Sequence, residues 1–212
     1  MSTARRLKCH VTVGYPEKTA PQAPTESTPV RRFNSAVTVS PDGTILANYR
    51  KSFLYSTDES WAEEGDAGFF SGELGTLGKA VMGICMDLNP YQDLAPWTKY
   101  EFANHALSPP SPLIIVSMAW LTRLEPSALT SEPTAPDMDT FSYWLSRLQP
   151  LVDAKSDQEV VVVFGNRCGQ EGPVCFAGTS AVLGIKAGEI KVYDILGRDE
   201  EGILIVDTTE VL

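Results

Sequence analysis

The sequence predicts an α/β fold built from layered sheets, on three observations. Short apolar, β-branched runs at residues 79–85 (KAVMGIC), 113–121 (LIIVSMAWL) and 160–164 (VVVVF) have the length and composition of buried strands. Segments able to form helices, 98–107 and 140–154, lie between them. A run of strand-like segments, 180–185, 189–195 and 202–207, closes the chain as a β-meander. Strands alternating with helices and then a meander imply sheets covered by helices.

Each element has its own signal. Residues 7–15 alternate and are β-branched, so they read as a strand. Residues 17–30 are rich in Pro, Thr and Ser and read as a loop. Residues 33–39 and 45–49 form a hairpin around SPDGT at 40–44, where Pro precedes Asp-Gly. Residues 52–78 are irregular, with several Gly and acidic residues. The Pro-rich break at 108–112 leads into the strand 113–121, and 125–137 is a second Pro-rich loop. In 140–154, Phe141, Trp144, Leu145, Leu148 and Leu151 share one helical face. No internal repeat or linker interrupts the pattern, so residues 1–212 are read as a single domain.

Composition narrows the function classes. The 212 residues are 43% apolar and 21% charged, ordinary for a globular chain with one buried core. A net charge of -10 argues against non-specific binding to nucleic acid or to an anionic membrane. No apolar run reaches the length of a membrane span, and no apolar signal core follows the basic N-terminus. These features fit a reducing compartment: the cytoplasm, with the nucleus also open. Cys9, Cys85, Cys168 and Cys175 form no CxxC pair, and His10 and His105 are the only histidines, so no metal site is expected. No cofactor motif survives inspection either. GELGTLGKA at 72–80 imitates a phosphate loop, but its glycine spacing is wrong, Ala80 stands where Ser or Thr is needed, and it precedes a strand.

The chemistry-bearing pair is Cys85, delivered by an apolar run onto Asp87, and Lys51, which closes an earlier strand. A thiol nucleophile needs a positive partner to hold it as thiolate and to stabilise the oxyanion it creates. A lysine answers that need here. A Cys85–His105 protease pair is the alternative, but no orienting Asn motif accompanies it.

Landmarks from Gly14 onward are similar, in order, to those of the nitrilase superfamily of carbon-nitrogen hydrolases. VGYPE at 13–17, FNSAV at 33–37, the Asp42-Gly43 turn, YRKSFL at 49–54, GICMD at 83–87, and NRCG at 166–169 with FAGTS at 176–180 carry the resemblance. KSFLYSTDESWAEEG at 51–65, GICMDLNPY at 83–91 and SMAWL at 117–121 resemble most the fungal protein N-terminal amidase branch. The resemblance implies a layered α-β-β-α sandwich and a cysteine that deamidates N-terminal Asn or Gln of proteins or peptides, without a cofactor. It implies Cys85 as nucleophile, Lys51 and the Met86 backbone N–H as oxyanion donors, and Glu59, eight residues past Lys51, as the supporting glutamate. This context overturns the plain expectation that a lone strand-end cysteine is core.

Asp87 is the candidate counter-ion for the substrate's protonated α-amine, against the simpler reading of a turn-forming Asp. Trp120 is the candidate pocket wall, against a place in the core. The family's main glutamate lies in a segment upstream of the first matched strand, so the sandwich is expected to lack its first strand-helix unit. Glu17, in VGYPE, matches the later strand and is not expected to replace that base.

Overall fold

The computed structural model describes residues 1–19, 29–108 and 110–209. The chain opens with a short helix, Ser2–Leu7 (α1), which stops at Lys8 in the left-handed conformation. The first strand therefore starts later than the alternation suggested, at Val11–Lys18 (β1). It pairs antiparallel with Arg32–Val39 (β2), which pairs with Ile45–Arg50 (β3), giving the order β1-β2-β3. Pro16 is tolerated inside β1 because an edge strand leaves one row of N–H groups outside the ladder. The 40–44 turn forms as expected: Ser40 and Asp42 hydrogen-bond each other, and both accept from the Thr44 N–H. Of the loop expected at 17–30, Glu17 and Lys18 are in β1, and residues 20–28 lie outside the described residues.

Within the stretch read as irregular, Phe70–Glu73 forms a short strand (β4) antiparallel to Lys79–Ile84 (β5). Four residues with a central Gly72 are too few to show a period. Then come Glu101–Leu107 (α2), Leu113–Met118 (β6), Pro126–Ser131 (α3), Met138–Arg147 (α4), Gln149–Asp153 (α5) and Val160–Asn166 (β7). Helix α3 falls in the expected Pro-rich loop, because Pro126 sits at the helix start, where proline is favoured. The helix expected over 140–154 is broken at Leu148, since Pro150 cannot continue the ladder of a preceding helix. A small hairpin, Gln170–Glu171 (β8) with Val174–Cys175 (β9), precedes Ala181–Lys186 (β10) and Glu189–Ile195 (β11).

The larger sheet has the order β11-β10-β7-β6-β5-β4, with β5, β6 and β7 parallel and the outer pairs antiparallel. One of its faces is covered by α2, α4 and α5 through Phe102, Ala106, Phe141, Trp144, Leu148 and Leu151. The other packs on β2 and β3 through Ala36, Ala47, Tyr49, Ala80, Met82 and Ile84. Helices, a six-stranded sheet and a three-stranded sheet are thus stacked, as the predicted layered α/β class requires. The expected strand at 202–207 has no ladder partner and stays irregular, with Ile203 and Ile205 87% and 84% exposed.

Candidate active site

The sheet brings β5 and β6 to a common end, and the polypeptide after each turns over the same cleft. After β5, Cys85–Leu88 forms a single 3-10 turn, and Cys85 itself has φ 45°. A left-handed cysteine is strained by roughly 1–3 kcal/mol and persists only where its surroundings fix it. Two neighbours do so. Gly83 lets the Phe102 ring of α2 press against the strand; a Cβ there would stand 2.7 Å from that ring. Asp87 reaches back to accept the Ile84 N–H at 2.7 Å. After β6, the Ala119 N–H points at the Cys85 sulfur.

Lys51 arrives from the other sheet, at the end of β3. Its backbone N–H bonds the Asn34 carbonyl at 2.8 Å and its carbonyl accepts the Gly65 N–H at 2.9 Å. The side chain is 2% exposed and its Nζ lies 2.5 Å from Asp58 Oδ2. Asp58 is further held by Asn34 Nδ2 at 3.1 Å and by the Tyr55 N–H at 3.1 Å. Lys51, Asp58, Cys85 and Ala119 line one cleft of about 480 Å³, together with Thr12, Gly14 and Asn34.

Burial pushes the Cys85 thiol up to about 11, against the pull of Lys51 and the Ala119 N–H; the carboxylates of Asp58 and Asp87 push the same way as burial. At rest the sulfur therefore keeps its proton. A thiol in that state, beside a buried ammonium and at the start of a turn whose first N–H groups have no partner within it, is arranged for attack on a carbonyl whose oxygen must be stabilised as charge develops.

The structure brings together Cys85 and Lys51 in the cleft; Met86 follows the nucleophile in the turn, is 4% exposed and is outside the cleft lining, so only its backbone N–H is a candidate contributor. It does not bring Glu59 to the lysine. The short turn Asp58–Ser60 points its first residue inward and the next outward, so Asp58 takes that place while Glu59 is exposed and outside the cleft lining. Asp87 does not face the cleft either. It is fully buried, and its oxygens accept from Tyr49 Oη, the Phe53 N–H and the Ile84 N–H. Desolvation raises it to about 6, and those three donors and Lys51 oppose the rise.

Trp120 is half-buried against Tyr143 and Trp144 and borders a different, larger cavity of about 680 Å³, with Asn89, Arg123 and Tyr143. Its N–H is held by Asn166 Oδ1 at 2.8 Å. Glu17 is engaged on the small sheet by Arg50, Ser35 and Asn48. His105 packs on Phe69 and is absent from the cleft lining, which removes it as a partner for Cys85.

Three contributors escaped the sequence. Asp58 stands next to Glu59, and spacing alone does not separate neighbours on an irregular turn. The Ala119 N–H carries no side-chain signal. Arg147, 2% exposed on α4, donates to the Leu88 carbonyl at the end of the nucleophile turn and to the Trp97 carbonyl, and a buried arginine inside an apolar helical face reads as solvent-facing until the fold is known. Among the described residues no group of three or more His, Cys, Asp and Glu is placed to hold a metal ion, and no helix is long and apolar enough to cross a membrane.

Known proteins are similar to this chain in sequence and in fold. The sequence profile described as carbon-nitrogen hydrolase matches residues 1–90. The chain is 32% identical over 213 residues to the protein N-terminal amidase of Schizosaccharomyces pombe, an alignment that spans 95% of this chain and 71% of the relative. It is 35% identical over 138 residues to the protein N-terminal amidase of Saccharomyces cerevisiae, spanning 57% of this chain and 28% of that protein. Its fold is similar to a crystal structure of an N-terminal amidase with an Asn-Glu-Ala peptide, with a TM-score of 0.79 at 20% identity over 93% of this chain and 77% of the other. A second, with a Gln-Val peptide, gives a TM-score of 0.78 at 20% identity over the same shares.

Proposed function

Because the chain belongs to the protein N-terminal amidases of the nitrilase superfamily of carbon-nitrogen hydrolases, we propose that it is a thiol amidohydrolase converting N-terminal Asn and Gln of proteins and peptides to Asp and Glu. The observation that carries this reading is the cleft that sets the strained Cys85 beside the buried Lys51. Cys85 Sγ attacks the side-chain carboxamide carbon. The oxyanion is met by Lys51 and the Met86 N–H. The tetrahedral species then collapses: the C–N bond breaks, ammonia leaves with the proton that the thiol gave up, and a thioester remains. Water adds to the thioester, the C–S bond breaks, and the acid and the free thiol are released. Asp58, in place of Glu59, is assigned to holding Lys51. Trp120 is assigned to the wall of the adjoining cavity, where a peptide would continue beyond its first residue.

Residues 1–212 are proposed to act as one domain, since both faces of the large sheet are packed by elements of the same chain. The four unpaired thiols support placement in the cytoplasm, with the nucleus also open.

The test is ammonia release from Asn- and Gln-initiated peptides. Release should be lost in Cys85→Ala, and should fail on the same peptides carrying an acetylated α-amine. Equal turnover of the acetylated peptide would instead assign the site to a small amide or nitrile, and no release from any amide would defeat the hydrolase reading.

A further inference from the structure

Asp87 is a carboxylate with no exposed surface and no lysine or arginine in ion-pair contact with it among the described residues. Such a group is costly to bury, and a neutral side chain of the same size would be cheaper. Its surroundings account for its presence. One oxygen accepts from Tyr49 Oη at 2.7 Å and from the Ile84 N–H at 2.7 Å, and the other accepts from the Phe53 N–H at 2.9 Å. Tyr49 lies two residues before Lys51, Phe53 two residues after it, and Ile84 immediately before Cys85. The Tyr49 phenol also accepts the Ser52 N–H at 3.1 Å, so both sides of Lys51 are tied to this one carboxyl group.

We propose that Asp87 is a positioning residue that sets the separation of Cys85 and Lys51 by clamping the three backbone segments that carry them. The inference rests on Cys85 acting as the thiol nucleophile beside Lys51. Three donors arriving on two oxygens is a demand that a carboxylate meets and an amide does not, because the NH₂ of an Asn must face at least one donor. The same bonds fix the left-handed backbone at Cys85, since the Ile84 N–H is pulled back over the turn by the residue two places past the nucleophile. The titratable and charged groups around the clamp are Tyr49, Lys51 and Cys85. Asp87 therefore does not reach the α-amine of a substrate; it acts through the pair that does the chemistry.

The experiment compares wild type, Asp87→Asn and Tyr49→Phe, each shown to be folded by circular dichroism, with Cys85→Ala as the blank. Two quantities are read: the rate of Cys85 alkylation by iodoacetamide against pH, and kcat and KM for an Asn-initiated peptide. The expected result in Asp87→Asn is slower alkylation at neutral pH, an alkylation profile displaced upward because Lys51 has left the sulfur, and a kcat lower by on the order of 10²-fold at nearly constant KM. Tyr49→Phe removes one arm of three and should show the same changes at smaller amplitude.

Faster alkylation in Asp87→Asn would overturn the clamp, because it would show the carboxylate acting only through its charge, which opposes the thiolate. An unchanged kcat with a lower unfolding midpoint would reduce Asp87 to a structural acid. A raised KM at constant kcat would restore it as the counter-ion of the substrate amine. Should Asp87→Asn not be recovered folded, an unchanged alkylation rate in Tyr49→Phe overturns the proposal. A wild type that is alkylated at Cys85 yet releases no ammonia would refute the amidase reading while leaving the alkylation comparison to decide the clamp.

Discussion

The two halves of the site are held by different physics. Cys85 is placed by backbone: a strand end, a one-turn helix at φ 45°, and N–H groups from Ala119 and Ile84. Lys51 is placed by charge: a flexible side chain, 2% exposed, fixed by Asp58, which is itself held by Asn34 and the Tyr55 N–H. The contrast follows from the residues. A cysteine side chain is too short to be moved independently of its backbone, so aiming it means shaping the turn. A lysine carries its charge on a long stem, so aiming it requires an anion at the far end. Asp87 touches both regions, which makes it the joint between them.

The comparison breaks most visibly at the ion pair. Removing one partner leaves the other buried and unpaired, at a cost of about 3–5 kcal/mol. Lys51→Met and Asp58→Asn should each lower the unfolding free energy read from urea titration by that much, whereas the double replacement Lys51→Met with Asp58→Leu should recover most of the stability and none of the turnover. If the single changes are silent in urea unfolding, the lysine is not held by charge.

On the backbone side, the test is strain. Glycine accepts φ 45° without penalty, so Cys85→Gly should be more stable than Cys85→Ala by about 1 kcal/mol, although neither turns over substrate. Equal stabilities would mean that the turn stores no strain at Cys85.

The same division decided what could be read before the fold was known. The strands at 79–85, 113–121 and 160–164 were legible because buried parallel strands are continuous apolar runs. Cys85 stood out because it closes such a run, and Lys51 because it closes the returning strand of the hairpin. Helix α3 and strand β4 were not legible: one is hidden among prolines, and the other is four residues long. The choice between Asp58 and Glu59 was equally invisible, because which of two adjacent acids faces inward depends on a turn formed by contacts distant in sequence. Asp87 was seen but misplaced: an acid two residues past a nucleophile looks available to substrate until Tyr49, Phe53 and Ile84 are found on its oxygens.

Glu17 supplies the smallest effect and isolates what burial adds to a charge. It too is a carboxylate bound by a cation, Arg50, with Ser35 and Asn48 as further donors, but Arg50's side chain is 33% exposed where that of Lys51 is 2%. The bonds from Arg50, with those from Ser35 and Asn48, hold its carboxyl down at about 2 against an ordinary value of 4.5, while burial works in the opposite direction. The folded state therefore binds this proton more weakly than the unfolded chain does. The stabilisation is complete above about 4.5 and is lost as pH falls toward about 2. Glu17→Gln should lower the urea midpoint at pH 7 by an amount equivalent to about 1 kcal/mol or less, with most of the difference from wild type gone near the bottom of that window. A difference that stays constant across the window would mean that Glu17 contributes by shape, and that charge holds this molecule together only where water is excluded, at Lys51 and Asp58.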